Sequence, residues 1–197
     1  MTIDGAMQPV AEVRNFFLKN RTLIGSYCGE IFGTCGEAAT PLRGFWSDRT
    51  SIIILSFDRE EKAAKFFQTI HLNAIFPQHV EVFLVNLCNP TRYVDDYSFL
   101  EISFYDVRFC TRFNEFTRQL PEMASKNNGL LIAGTPRICQ VLGMTRPNYC
   151  TISQWRTIEE FEKFRDESNC AFEASESACV TQALVKWDVK RQNPFCN

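Results

Sequence analysis

Two adjoining stretches decide the fold, residues 97–106 (YSFLEISFYD) and residues 107–126 (VRFCTRFNEFTRQLPEMASK). The first is rich in aromatic and β-branched residues that alternate along the chain, which predicts a strand. In the second, aromatic and aliphatic residues recur at spacings of four, three and four, which predicts an amphipathic helix. These spaced residues are Phe109, Phe113, Phe116 and Leu120. We therefore expect a strand followed by a helix that packs on it.

The residues from 127 to the end of the sequence complete a recognisable unit. The pattern predicts two strands, at 130–142 and 148–155, on either side of a turn at 144–147. It predicts a last strand at 180–187. Between them, Thr157 is followed by a Glu three residues later, a capping box that predicts the start of a second helix. The resulting order, β-α-β-β-α-β, is the ferredoxin-like pattern.

The chain repeats itself at an offset of about 100 residues. Residues 29–32 match residues 129–132, Phe57 matches Trp155, and the matches follow in the same order through to the last strands. We therefore predict two ferredoxin-like units, 1–93 and 94–197. The offset leaves only residues 1–6 for the first strand of the first unit, so we expect that strand to be short, frayed or missing.

The repeated segments resemble a known family. Residues 28–32, 42–46, 52–57 and 61–67 are similar to a mostly bacterial domain family of unknown function in the dimeric α/β-barrel superfamily. The resemblance implies an α+β fold in which two sheets pack face to face as a barrel, here within one chain as a pseudo-dimer. It also implies a choice among cofactor-independent monooxygenases, haem-handling enzymes, small-lactone isomerases and members without known chemistry. No catalytic residue of those enzymes has a match here.

The composition of the chain excludes some classes of binding partner. The 197 residues carry 21 Lys and Arg against 23 Asp and Glu, a net charge of −2, which gives no field to attract nucleic acid or an anionic membrane. No signal segment or membrane span is evident, so we expect a cytoplasmic protein, as a monomer or weak homodimer. The nine cysteines lack C-x-x-C spacing, so we expect free thiols, no metal and no cofactor.

One candidate site follows from strand alternation. If Leu100, Ile102 and Phe104 pack on helices, the opposite face of the strand turns into the barrel interior. That face carries Tyr97, Phe99, Glu101, Ser103 and Tyr105. We expect Glu101, Ser103 and Tyr105, with Arg137 as a neighbour, to bind a ligand there, because a buried carboxyl group with a raised pKa can act as an acid or base. The structural alternative is that Glu101 pairs with an Arg such as Arg137 or lies at a wet barrel mouth.

Three functions stay open. The first is a non-catalytic or ligand-binding pseudo-dimer that takes a small hydrophobic molecule, and the second is a cofactor-independent oxygenase or isomerase acting on such a molecule. The third is a protein-interaction module that uses a sheet edge exposed by the missing first strand. An interior cavity of several hundred cubic ångströms would favour the first two.

Overall fold

The computed structural model describes residues 2–4, 10–35, 39–44, 50–75, 80–89, 96–142, 146–175 and 178–186. The chain is a mixed α+β protein, and within these residues it forms ten strands and six helices. The strands are β1 Thr2–Asp4, β2 Gly29–Thr34, β3 Thr40–Gly44, β4 Thr50–Phe57, β5 Val80–Val85, β6 Phe99–Asp106, β7 Leu130–Thr135, β8 Ile138–Leu142, β9 Tyr149–Trp155 and β10 Ala178–Lys186. The helices are α1 Val10–Lys19, α2 Arg21–Ser26, α3 Glu60–Ile70, α4 Leu72–Ile75, α5 Cys110–Lys126 and α6 Ile158–Ala174.

The strands form two antiparallel sheets of five. The first has the order β2-β4-β1-β5-β8 and the second has the order β7-β9-β6-β10-β3. Four strands of each sheet come from one half of the chain, and they have the same order in both sheets. The fifth strand of each sheet, at its edge, comes from the other half. β3 pairs with β10, and β8 pairs with β5.

That exchange is the main departure from the sequence prediction. The strand predicted at 130–142 divides into two, and so does the matching segment 29–44 of the first unit. The second part of each pairs with the sheet of the other half. The junctions are short: 136–137 in the first case and 35–39 in the second. The chain therefore passes from one sheet to the other five times, at β2–β3, β3–β4, β5–β6, β7–β8 and β8–β9.

The sheets share an apolar core. Its buried side chains come from both halves and include Phe32 and Ile52 of the first sheet and Leu100, Ile102 and Phe104 of the second. The rings of Phe83 and Phe104 meet across it with centroids 4.6 Å apart. Each sheet also has one apolar cluster on its other side, between the strands and the helices that cover them.

The helices follow the predicted spacing, with shifts at their first residues. In α5 the buried residues are Phe113, Phe116, Leu120 and Ala124. Phe109, expected on that face, is 54% exposed because it precedes the helix as its N-cap, and Ile158 is 42% exposed at the first position of α6. The predicted capping box of Thr157 and Glu160 is confirmed.

The predicted faces of β6 are reversed. The alternation is as expected, but Leu100, Ile102 and Phe104 pack between the sheets, whereas Tyr105 and Phe99 pack under the helices. The expectation that Glu101 and Ser103 face the space between the sheets is therefore wrong. The row of β6 that is wholly apolar, Leu100, Ile102 and Phe104, faces the space between the sheets. The row that contains Glu101 and Ser103 lies on the other side, where side chains of the neighbouring strands donate hydrogen bonds to the buried carboxylate.

Candidate ligand cavity

A cavity of about 560 Å³ opens in the first sheet between β4 and β5. Its walls are residues 52–57 of β4 and residues 82–85 of β5, with Ala63 and Phe67 of α3 at one side. Its floor is formed by the other half of the chain, through Ile102, Phe104, Ile132 and Ile152. The lining is mostly aliphatic and aromatic, so the cavity favours an apolar occupant.

The shortness of β1 explains why the cavity lies there. β1 has three residues and pairs with only Thr50–Ile52 of β4 and Val80–Glu81 of β5. Beyond those positions, no strand among the described residues lies between β4 and β5. In the second sheet the equivalent strand, β6, has eight residues. It pairs with β10 along its whole length and with β9 from Phe99 to Tyr105. The corresponding space in that sheet is therefore filled by a strand.

The register locates the gap to the residue. The match of Phe57 to Trp155 sets Ile52 against Cys150. Thr2 lies opposite Ile52 as Phe104 lies opposite Cys150, so Thr2–Asp4 corresponds to Phe104–Asp106 at the end of β6. Residues 99–103 of β6 therefore have no counterpart in β1. The cavity thus lies beside the part of the first sheet that β1 does not reach, whereas residues 99–103 of β6 fill the corresponding part of the second sheet.

Polar groups gather at the rim, where β4 ends and α3 begins. Ser56 is half-buried, while Asp58, Arg59, Glu60 and Asn86 are exposed. Among the described lining residues the ionisable side chains are Asp58, Arg59 and Glu60, and none of them is buried. The cavity therefore has apolar walls and an exposed, charged rim.

Two of the four residues predicted from sequence, Glu101 and Ser103, lie together in a different place, beneath α5 and α6. Glu101 is 3% exposed and accepts hydrogen bonds from Ser153 Oγ at 2.7 Å, Gln182 Nε2 at 3.1 Å and Ser103 Oγ. Trp155 Nε1 donates to Ser153 Oγ at 2.8 Å. Burial raises the pKa of Glu101 above its ordinary value, and the three hydrogen bonds oppose that rise.

The other two predicted residues lie elsewhere. Tyr105 is buried among aromatic rings, with its hydroxyl 3.4 Å from Thr151 Oγ1, and Arg137 is exposed in the turn between β7 and β8. The hydrogen-bond partners of Glu101 do not include Arg137, so the alternative pairing of those two residues is not observed. None of the four predicted residues lines the cavity, and ligand binding by them stays a prediction.

The sequence did contain a signal for the cavity. The expected shortness of the first strand, combined with strand pairing on both its sides, locates a gap beside residues 53–57 and 82–85. The rim residues carry no such signal, because a run of charged residues at a helix start is usual on any surface.

Other kinds of site find little support in the described residues. None of them form a group of three or more His, Cys, Asp and Glu side chains placed to hold a metal ion. A search of the described helices finds none with the length and apolar character that crossing a membrane requires.

Comparison with known proteins gives a shared fold. No protein-family model and no curated protein matches the sequence. Among solved structures, the chain is similar to a crystal structure from Fusobacterium nucleatum subsp. nucleatum that is named "putative monooxygenase". The identity is 12% and the TM-score is 0.56, over 96% of this chain and 91% of that chain. At this identity the similarity shows the fold alone.

Proposed function

We propose that the chain binds one small, mostly apolar molecule in the cavity between β4 and β5. The observation that carries this proposal is the cavity itself, about 560 Å³ in volume with apolar walls and a polar rim. Binding pockets for small molecules commonly have volumes of about 300–1,000 Å³ and a few polar groups that orient the ligand. The ligand class is therefore a compact hydrophobic molecule with one polar end directed at Ser56, Asp58 or Asn86.

The test uses a defined probe and a blocked cavity. 1-Anilinonaphthalene-8-sulfonate has an aromatic body and one polar end, and its fluorescence rises in apolar sites. Ser56→Trp places a large ring in the cavity without removing a packed apolar side chain, whereas Ser125→Trp adds the same ring on the exposed face of α5. We expect saturable binding at one site that Ser56→Trp abolishes and Ser125→Trp keeps. Equal binding by both variants would contradict the proposal.

A second candidate function is a cofactor-independent oxygenase acting on such a molecule. The similarity in fold to the Fusobacterium protein, over nearly the whole of both chains, favours this candidate over other chemistries. A ligand identified by thermal stabilisation against a metabolite collection would be incubated with the protein in an oxygen electrode. Oxygen uptake that depends on the ligand and is lost in Ser56→Trp would support an oxygenase. Recovery of the ligand unchanged would leave binding as the function.

We propose, further, that the chain is a tandem pair of ferredoxin-like units, 1–93 and 94–197, arranged as one pseudo-dimeric α/β barrel. Local irregularities support this at the offset of 100: register shifts occur at Ile31/Gly33 and Leu131/Ala133. Non-glycine residues with positive φ occur at Cys28 and Asn128.

On this proposal the second unit replaces a second chain, so the protein acts as a monomer. Light scattering should give the mass of one chain. A protein opened between residues 93 and 94 should purify as a complex of both fragments, because β3 and β8 are exchanged between the sheets. Fragments that purify separately as folded proteins would contradict the arrangement.

A further inference from the structure

The backbone edges of β4 and β5 face each other across the cavity. β2 pairs with the other edge of β4, and β8 pairs with the other edge of β5. Between the two strands, β1 pairs only with Thr50–Ile52 and Val80–Glu81. Neighbouring strands lie about 4.8 Å apart, so β4 and β5 are about 10 Å apart where β1 separates them. The gap therefore begins with the width of one strand.

Backbone hydrogen-bonding groups of β4 point into this gap. The N–H and C=O groups of one strand residue turn to the same side, and that side alternates along the strand. Ile52 O accepts from the N–H of Cys35, the residue after β2, so the even-numbered residues of β4 turn to the β2 side. Leu55 and Phe57 therefore turn their backbone groups towards β5. No strand of the described chain pairs with these two residues on that side.

The second sheet shows what fits in such a place. Residues 99–103 of β6 lie there, opposite residues 151–155 of β9 and residues 182–186 of β10. On the register given above, these two ranges match residues 53–57 and 82–86 of the first half. An extended chain of about five residues can therefore pair with β4 and β5 as the start of β6 pairs with its own neighbours.

The cavity walls suit apolar side chains on both faces of such an extended chain. Side chains turned towards the second sheet would meet Ile102, Ile132 and Ile152. Those turned towards the helices would meet Ala63 and Phe67 of α3. Neither set carries a side-chain hydrogen-bond donor or acceptor, so the backbone edges supply the polar contacts and the walls select apolar residues.

The middle position of the extended chain distinguishes the two halves. In the second sheet this position is Glu101, which accepts hydrogen bonds from Ser153 and Gln182. The matching residues of the first half are Leu55 and Val82, whose side chains have no donor. A carboxylate would have no partner at this position, so the first sheet requires an apolar residue there.

We propose that the molecule in the cavity is a short apolar peptide, held as a strand between β4 and β5. The peptide takes the cavity of the proposed function, on which this inference rests, and gives that ligand its chemical class. It runs antiparallel to both strands, as β1 and β6 do, so its polar amino-terminal end lies at the rim beside Phe57 and Asn86. Main-chain hydrogen bonds then provide affinity, as in other complexes that form by strand addition.

The experiment measures displacement of 1-anilinonaphthalene-8-sulfonate from the full-length protein by synthetic amidated peptides. KGFLVIS has the sequence of residues 99–103 with valine in the middle, preceded by Lys and Gly for solubility. KGFLEIS keeps the glutamate of β6. We expect KGFLVIS to displace the probe from one site and KGFLEIS to bind about a hundredfold more weakly. Equal affinities, or no displacement by KGFLVIS, would overturn the proposal.

Three further peptides separate strand pairing from general hydrophobic binding. N-methylation of the valine in KGFLVIS removes the amide donor that faces Leu55 and should weaken binding about tenfold. N-methylation of the glycine, which lies outside the gap, should leave binding unchanged. KEFLVIS places the glutamate outside the gap and should bind like KGFLVIS. If the two N-methylated peptides bind equally well, the ligand is not held as a strand and the proposal is wrong.

The probe alone separates this proposal from the proposed function. If the probe binds and Ser56→Trp abolishes its binding, but no peptide displaces it, the cavity takes another class of molecule. That result would overturn the peptide proposal and leave small-molecule binding in place. If the probe does not bind the native protein, the proposed function fails and the peptide proposal fails with it.

Discussion

The indole ring of Trp155 lies directly against Gly129, the residue that precedes β7. A Cβ atom built on Gly129 would be 2.2 Å from Trp155 Cζ3, and Trp155 is fully buried. The same relationship recurs in the first half, where a Cβ on Gly29 would be 2.4 Å from Phe57 Cε1. In each half a glycine is required because an aromatic ring, at the end of β4 or of β9, occupies the place of its side chain.

Gly129→Ala should destabilise the protein by about 1–3 kcal/mol, the usual cost of adding a methyl group to a packed site. Gly134→Ala is the matched control, since a Cβ there would meet its nearest atoms at 3.5 and 3.6 Å, which is ordinary contact. Urea unfolding would measure the free energy of unfolding of both variants, provided that its dependence on urea concentration is the same in each. Equal midpoints for the two variants would show that Trp155 can move aside.

Thr157→Ala should lower the free energy of unfolding by about 0.5–2 kcal/mol because it removes the side chain that caps α6. Thr157 Oγ1 accepts from Glu160 N–H, and Glu160 Oε2 accepts from Thr157 N–H, each at 3.3 Å. Thr157→Ser keeps the hydroxyl group and should retain most of the stability. A loss in Thr157→Ser as large as in Thr157→Ala would assign the effect to the methyl group instead of the cap.

Arg43→Ala should cost about 1–2 kcal/mol through lost contacts between the halves of the chain. Arg43 lies on β3, donates to Asn169 Oδ1 of α6 at 2.5 Å, and stacks over the ring of Phe172 at 5.1 Å. Arg118→Ala, on the exposed face of α5, should have little effect. Circular dichroism and tryptophan fluorescence should give one coincident unfolding transition for both variants, and separate transitions would show that the halves unfold independently.

Local patterns predicted the elements well, because helix spacing, strand alternation and the capping box depend on near neighbours. The α5 face through Phe113 and Phe116 and the start of α6 at Thr157 are examples. The prediction of which face of β6 packs on the helices was wrong. Both faces carry large apolar residues, and alternation alone does not say which of the two faces meets the helices. The exchange of β3 and β8 was not predicted, because pairing with a distant strand leaves no trace in local spacing.

The candidate site shows the same limit. Glu101 stands out in sequence as a carboxylate among apolar residues, yet its partners Ser153 and Gln182 come from strands that neighbour β6 only in the folded sheet. Those donors make it a satisfied buried group beneath the helices. The cavity arises instead from a short strand, and no single residue marks it.

Glu101→Gln should therefore change the pH dependence of stability and leave binding in the cavity unchanged. Burial raises the folded-state pKa of Glu101 from its ordinary value of 4.5, so the folded protein holds this proton more tightly than the unfolded chain. Stability from this group is fully present below about pH 4.5 and is lost as the pH rises through the folded-state pKa, by at most about 1.4 kcal/mol per pH unit.

The glutamine variant has no such proton, and its amide fits among the same serine and glutamine partners. The free energy of unfolding of the native protein minus that of Glu101→Gln should thus fall as the pH is raised from 4.5 towards 8. Urea unfolding at several pH values measures this difference, in which the other titrating groups cancel. Glu122→Gln, on the exposed side of α5, should give a difference that hardly varies with pH, since solvated carboxylates contribute little. If the difference in free energy of unfolding for Glu101→Gln does not vary with pH, the hydrogen bonds from Ser103, Ser153 and Gln182 offset the effect of burial on the pKa of Glu101. Loss of probe binding in that variant would show that Glu101 belongs to the candidate site.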